Sequence, residues 1–291
     1  MASAAHWVKG ARPHTLPAAV APVAAGTGAA AAVDSVLVAR ALLALLVALA
    51  LQVGVNYAND YSDGIRGTDT DRTGPLRLVG SGLAAPAAVR AAALVSFGVA
   101  AVGGLVLAAL TTWWLLLIGA AAILAAWFYT GGRRPYGYHG LGEVSVFVFF
   151  GLVATIGTAY VQAERVTATA LLAGIGCGAF ACAILVANNL RDLDSDARAG
   201  KVTLAVRLGD RHTRLLFVAL LLTPYVVLVP VIVMHPSTAI ALITAVPAGR
   251  TVRNVLRGAT GVPLVVALRE TGQALLLYGL LLLVALSWLT D

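Results

Sequence analysis

The stretch VLVARALLALLVALALQVGVNYANDYSDGIRGTD, residues 36–69, decides the fold. From 36 to 51 it is a run of Leu, Val and Ala broken only by Arg40. About 20 such residues cross a bilayer as a helix. Its second half turns polar, and the polar groups come at fixed intervals. Asn59 and Asp63 are four apart, a spacing that stacks side chains on one helix face. A membrane span that ends in an ordered set of oxygen ligands is the unit from which the rest of the chain can be read.

The unit recurs. A second apolar run over 168–190 leads into Asn188, Asp192 and Asp196, again four apart. Between and around these lie further apolar runs, and spans are predicted at 16–33, 36–57, 86–109, 111–130, 141–162, 168–190, 215–234, 236–252 and 272–290. The eighth holds Pro247 and runs into Arg250, Arg253 and Arg257, which makes it the weakest of the nine. Composition agrees, since 60% of the 291 residues are hydrophobic and 11% charged, where a soluble domain is near a quarter charged. The expectation is an all-α polytopic membrane protein of about nine transmembrane helices, one membrane-embedded domain over residues 1–291. No cleavable signal peptide is expected, because Lys9 and Arg12 precede no short apolar core of the signal type. Cys177 and Cys182 fall within one apolar run and are read as small buried residues rather than a disulfide framework.

Charge sets the orientation. With nine spans, eighteen of the 20 Lys and Arg residues fall on the side of the N-terminus, and only Arg40 and Arg165 on the other. That bias marks the N-terminal side as cytoplasmic and leaves the C-terminus outside. It also accounts for the net charge of +7 without nucleic acid as a partner. Eight of the 13 acids gather in two cytoplasmic segments, Asp60, Asp63, Asp69 and Asp71 after the second span and Asp192, Asp194, Asp196 and Asp210 after the sixth.

Carboxylates next to lipid are unfavourable, by about 2.5 to 3.5 kcal/mol per Asp at mid-membrane on the insertion scale, and clustered they repel one another. A divalent cation relieves both. Carboxylate and amide oxygens suit Mg²⁺, which bridges protein carboxylates to substrate phosphates. The five His residues show no ligand spacing. Arg66, Arg191 and Lys201 stand among the acids, where cations can clamp phosphoryl oxygens. Solvated loop charges are the plain alternative.

Both motifs resemble those of the UbiA superfamily of intramembrane aromatic prenyltransferases. Asn59-x-x-x-Asp63 with Asp69 is similar to the first Asp-rich motif and Asn188-x-x-x-Asp192-x-x-x-Asp196 to the second. Gly67 stands where the commoner first motif has another Asp, a form similar to the naphthoate branch. Gly74-Pro75-Leu76-Arg77 with Ser81-Gly82, the run from Tyr129 through Tyr136 and Tyr138 to Glu143, and Ala199-Gly200-Lys201-Val202-Thr203-Leu204 extend the likeness over nearly the whole chain. The resemblance implies helices around a central cavity open sideways to lipid. It implies transfer of a polyprenyl group from polyprenyl diphosphate to 1,4-dihydroxy-2-naphthoate with loss of the acceptor carboxylate, giving demethylmenaquinone in menaquinone biosynthesis, with Mg²⁺ as cofactor and the lipid bilayer of the cell membrane as setting. Metal would lie on Asp63, Asp69, Asp192, Asp196, Asn59 and Asn188. Diphosphate would lie on Arg66, Arg191 and Lys201, and the acceptor on Arg77, Tyr129 and Tyr136. The tyrosines could equally be interfacial aromatics. Another aromatic acceptor such as 4-hydroxybenzoate, or a secondary transporter with a polar site in broken helices, are the alternatives. The acids lie at cytoplasmic helix ends rather than mid-span, which favours the enzyme.

Overall fold

A computed structural model describes residues 2–67 and 76–288. Among them the chain is helical and without strands. A short α1 (Ala4–Gly10) precedes α2 (Pro17–Ala31), α3 (Val38–Arg66), α4 (Pro86–Leu110), α5 (Leu115–Phe128), α6 (Gly142–Ala163), α7 (Ala168–Arg191), a one-turn α8 (Leu193–Arg198), α9 (Leu204–Met234), α10 (Ala245–Leu256) and α11 (Val262–Trp288). Six of these helices are long and apolar enough to cross a membrane: α3, α4, α6, α7, α9 and α11. The shorter apolar helices α2 and α5 match two further predicted spans, so this is a multi-pass membrane protein.

The eighth predicted span forms in two pieces. A 3₁₀ stretch, Pro236–Thr244, leads directly into α10. Nine 3₁₀ residues rise about 18 Å and twelve α residues about 18 Å, together enough for the ~30 Å apolar core. Helix α9 starts earlier than its apolar run: Leu204–Leu208 form a short turn set off by a kink at Gly209, where φ is 73°, and the polar residues Asp210–Arg214 follow before the span.

Small residues set the close packing. A Cβ on Gly279 of α11 would lie 2.4 Å from the Ala21 carbonyl of α2, and one on Gly151 of α6 would lie 2.4 Å from Gly178 Cα of α7. Only glycine permits such backbone approaches, the usual device of membrane helix pairs. Helices α2, α7 and α11 thus make a dense block, whose core includes Ala21, Ala25, Phe180, Leu275 and Tyr278. Helix α5 is different: it packs on α3 and α4 and buries none of its residues. A cavity of about 420 Å³ separates it from α6.

That cavity explains why α2 and α5 are short. At 15 and 14 residues they rise only about 22 and 21 Å. The chain completes the crossing outside the α-helix, at Arg12–Leu16 and at Tyr129–Tyr138. Several residues of both segments line the cavity. Non-helical backbone at membrane depth is tolerated where it lines a cavity or is buried in protein.

Candidate active site

Helix α3 continues past its apolar run to Arg66, so Asn56, Asn59 and Asp63 stay helical and face the cavity. Asp63 is 3% exposed. It accepts a hydrogen bond from the Tyr138 hydroxyl. Lys201 Nζ lies 3.7 Å from its Oδ1 and an Arg77 terminal nitrogen 3.8 Å from its Oδ2. Lys201 also sits 4.5 Å above the Tyr138 ring, a cation–π placement. Residues from both Asp-rich segments and from the loop between α5 and α6 therefore meet at one carboxylate.

The second ladder is broken where sequence spacing suggests it is continuous. Helix α7 ends at Arg191, and Asp192 is a non-helical joint before α8. Neighbours in a helix do not face each other, but at this joint Arg191 grips both Asp192 oxygens, from Nε and a terminal nitrogen, each at 2.7 Å. The same guanidinium donates to Asn188 Oδ1 at 2.8 Å. Asn188, Arg191 and Asp196 line the cavity, while Asp192, 3% exposed, lies behind Arg191 and not on the lining. Asp196 is turned inward by its amide on the Asp192 carbonyl at 2.8 Å. The Lys201 amide then returns to the Asp196 carbonyl at 2.9 Å.

Other residues hold the mouth in place. Asp60 accepts from the Leu78 and Val79 amides at 2.7 and 3.0 Å, fixing the chain where it re-enters after the first loop. Arg66 donates to the Thr130 and Gly132 carbonyls and is exposed, so it ties two segments together and is not among the lining residues. Thr130 in turn donates to Asn59 Oδ1 at 2.8 Å. Tyr129 and Tyr136 line the cavity edge to face, 5.6 Å apart, and the Tyr136 hydroxyl is engaged with the Ala125 carbonyl and Ser145. Asp69 falls outside the described residues.

Of the residues expected from sequence, the cavity brings together Asn59, Asp63, Arg77, Tyr129, Tyr136, Asn188, Arg191, Asp196 and Lys201. It adds Arg12, His14, Thr15, Gln52, Asn56 and Tyr138. Tyr138 stands in the run from Tyr129 to Glu143, but nothing in that run distinguishes it from an interfacial aromatic. Arg12 and His14 give no spacing signal at all. Among the described residues four cations (Arg12, Arg77, Arg191 and Lys201) and two carboxylates (Asp63 and Asp196) line the cavity, a net positive set. Deeper, Val23, Ala44, Val47, Leu107, Leu115, Phe149 and Val161 form an apolar shaft.

Asp63, Asp196, Asn59 and Asn188 fit a hard divalent cation in type, being carboxylates and side-chain amides. No three such acidic, His or Cys groups converge among the described residues. Mg²⁺ needs only one or two protein carboxylates when phosphates and water complete its shell.

Comparison with known proteins places this geometry. The model of the UbiA prenyltransferase family matches residues 19–257. The chain belongs to the UbiA prenyltransferase family. Within it, the chain is 54% identical to the 1,4-dihydroxy-2-naphthoate octaprenyltransferase of Mycobacterium tuberculosis over 99% of both chains. It is 39% identical to the enzyme of that name from Escherichia coli over 72% of this chain and 70% of that one. The apo UbiA homolog of Aeropyrum pernix superposes with a TM-score of 0.71 at 14% identity, covering 91% of this chain and 94% of that one. An Archaeoglobus fulgidus UbiA homolog bound to DMAPP and Mg²⁺ gives 0.65 at 12% identity, over 95% and 98%. At these identities the structural likeness speaks to the UbiA fold, and the sequence likeness to the family.

Proposed function

We propose that this UbiA-family protein transfers a polyprenyl group from polyprenyl diphosphate to 1,4-dihydroxy-2-naphthoate with release of diphosphate and CO₂, giving the prenylated naphthalene-1,4-diol, the reduced form of demethylmenaquinone. The observation that carries it is one cavity with a charged mouth and an apolar shaft, in a chain 54% identical over its whole length to a naphthoate octaprenyltransferase. The mouth fits a diphosphate, the shaft an isoprenoid tail, and the wall between them an aromatic ring.

Mg²⁺ would lie on Asp63 and Asp196, with Asn59, Asn188 and Asp69 as the remaining ligands, and would neutralise charge on the diphosphate; Asp192, expected from sequence as a ligand, has both oxygens on Arg191 and does not line the cavity. Lys201, Arg77 and Arg191 take the other diphosphate oxygens. Their positive field favours departure of the diphosphate and so ionisation of the allylic C–O bond. Asp192 acts through Arg191, holding its guanidinium toward the cavity. Arg66 acts one step further out, by fixing the Thr130 turn. The apolar shaft excludes water from the allylic cation, and the Tyr129 face stabilises it. The naphthoate ring then attacks as a carbon nucleophile. Tyr129 and Tyr136 receive the bicyclic ring, for which aromatic contacts contribute about 0.5 to 1.5 kcal/mol each, while Arg77, expected from sequence at the acceptor, stands beside Asp63 at the charged mouth.

Product chemistry tests the acceptor. Naphthoate labelled at its carboxyl carbon is expected to lose the label in step with prenylation. Prenylated product that keeps the label, or a preference for 4-hydroxybenzoate, would overturn the naphthoate assignment and leave prenyl transfer standing.

The cell membrane, with the mouth facing the cytoplasm, is the setting that the charge bias supports. Arg133 and Arg165 are exposed at opposite ends of the bundle. With Cys177 and Cys182 both buried, Arg133→Cys is expected to label only from the cytoplasm and Arg165→Cys only from outside. The reverse pattern defeats the orientation.

A further inference from the structure

Asp63, Asn59, Asn56 and Gln52 descend one face of α3 at spacings of four, three and four residues, and all four line the cavity. At 1.5 Å per residue Gln52 lies about 16 Å below Asp63 along the helix. The first two belong to the charged mouth. The lower two have had no role so far.

Their amides are oriented by Thr15. The Thr15 hydroxyl donates its single hydrogen to the Arg12 carbonyl at 2.9 Å. Toward Gln52 and Asn56 it is therefore an acceptor, and it receives Gln52 Nε2 and Asn56 Nδ2 at 2.9 Å each. Asn56 Nδ2 also reaches the Ala11 carbonyl at 2.9 Å. With its nitrogen turned to Thr15, Gln52 points its carbonyl oxygen the other way. Gln52 is 5% exposed, and its Oε1 is buried without a hydrogen-bond partner among the described residues. Buried amide oxygens are rarely left so in folded proteins. One at a cavity wall, with its amide nitrogen held by Thr15, is a prepared acceptor.

The two substrates differ in what they can give it. A polyprenyl tail is hydrocarbon, and its diphosphate belongs with the cations near Asp63. Only a hydroxylated aromatic ring brings a hydrogen to this depth. We infer that Gln52 Oε1 accepts a hydrogen bond from a ring hydroxyl of the aromatic acceptor and so fixes the ring's depth and rotation beneath the allylic carbon. The inference rests on the proposed reaction. It also adds to it, since a phenolic O–H becomes more acidic as the ring gives up electrons in attack. The bond therefore strengthens toward the transition state and shows in kcat as well as KM.

The test uses full-length protein in nanodiscs with a polyprenyl diphosphate and Mg²⁺. The acceptors are 1,4-dihydroxy-2-naphthoate and its two mono-methoxy analogues. Wild-type protein should lose about tenfold or more in kcat/KM when the hydroxyl facing Gln52 is methylated. Gln52→Leu should lose a similar factor on the diol and little more on that analogue, the signature of a coupled pair. Its KM for the prenyl diphosphate should not change. Gln52→Asn, which keeps the amide one methylene short, should show the same split if the Leu variant fails to insert. An active wild type whose Gln52 variants keep full kcat/KM, or whose losses simply add to those of methylation, overturns the inference alone. A wild type that makes no naphthoate product overturns the proposed function, and the inference falls with it.

Discussion

Asp63→Asn is expected to lower kcat by about 10²-fold or more, the usual consequence of losing one charged group at a reacting centre. Asp63 is where the two Asp-rich segments meet: its carboxylate faces Lys201 and Arg77 and takes the Tyr138 hydroxyl. An amide there brings no negative charge to balance two cations or a metal, yet it keeps the shape. Asp192→Asn is expected to fall by a similar order, through release of Arg191, whose grip on both carboxylate oxygens needs their charge. Asp210→Asn is the control. Asp210 is mostly exposed and pairs with Arg214, four residues on, and it does not line the active cavity. Its variant should keep wild-type kcat. Steady-state turnover on protein verified as monodisperse distinguishes these outcomes. Equal losses at all three positions, or an Asp63→Asn enzyme within about threefold of wild type, would remove the carboxylates from the chemistry.

Removal of divalent cations is expected to abolish turnover altogether, with Mg²⁺ restoring it. The cavity offers buried carboxylates and amides at one end, and a diphosphate would add several further negative charges to them. Arg77, Arg191 and Lys201 alone leave that excess negative charge in a medium of low dielectric, where each unbalanced charge is costly. Dialysis against a strong chelator followed by a Mg²⁺ titration measures the dependence. Undiminished activity in the chelator would mean that the basic residues suffice and that the metal assignment of Asp63 and Asp196 is wrong.

The architecture was legible where apolar length alone decides it. The spans predicted at 86–109, 141–162 and 168–190 coincide closely with α4, α6 and α7. Hydropathy lost the ends of helices where polarity faces inward. The second span was expected to stop at Tyr57, yet α3 runs nine residues further to Arg66, because Asn59 and Asp63 turn to a cavity rather than to a loop. The site was legible as residue types at spacing four, which is why Asn59, Asp63, Asn188 and Asp196 were found together. It was not legible where it depends on contacts between distant segments. Tyr138 meets Asp63 from 75 positions away, and Thr15 orients Gln52 from 37. No period in the sequence records either. The break at Asp192 was hidden for the opposite reason, since its spacing to Asn188 and Asp196 is that of an unbroken helix.

One contact at the far end of the bundle has a bearing on the energetics of the host membrane. Arg40, one turn beyond the cavity residue Ala44, donates to the Val161 and Leu110 carbonyls and to Glu164 at 2.8, 2.7 and 2.9 Å. It thereby staples α3 to the ends of α4 and α6, directly under the apolar floor formed by Leu107, Leu115 and Val161. A water-accessible mouth above a shaft of nearly bilayer depth is most of the way to being a pore. An enzyme that leaked protons would dissipate the gradient across its own membrane. The guanidinium staple and the apolar residues above it stand between that mouth and the far end of the bundle, an arrangement that opposes the passage of ions, since charge in apolar surroundings is costly.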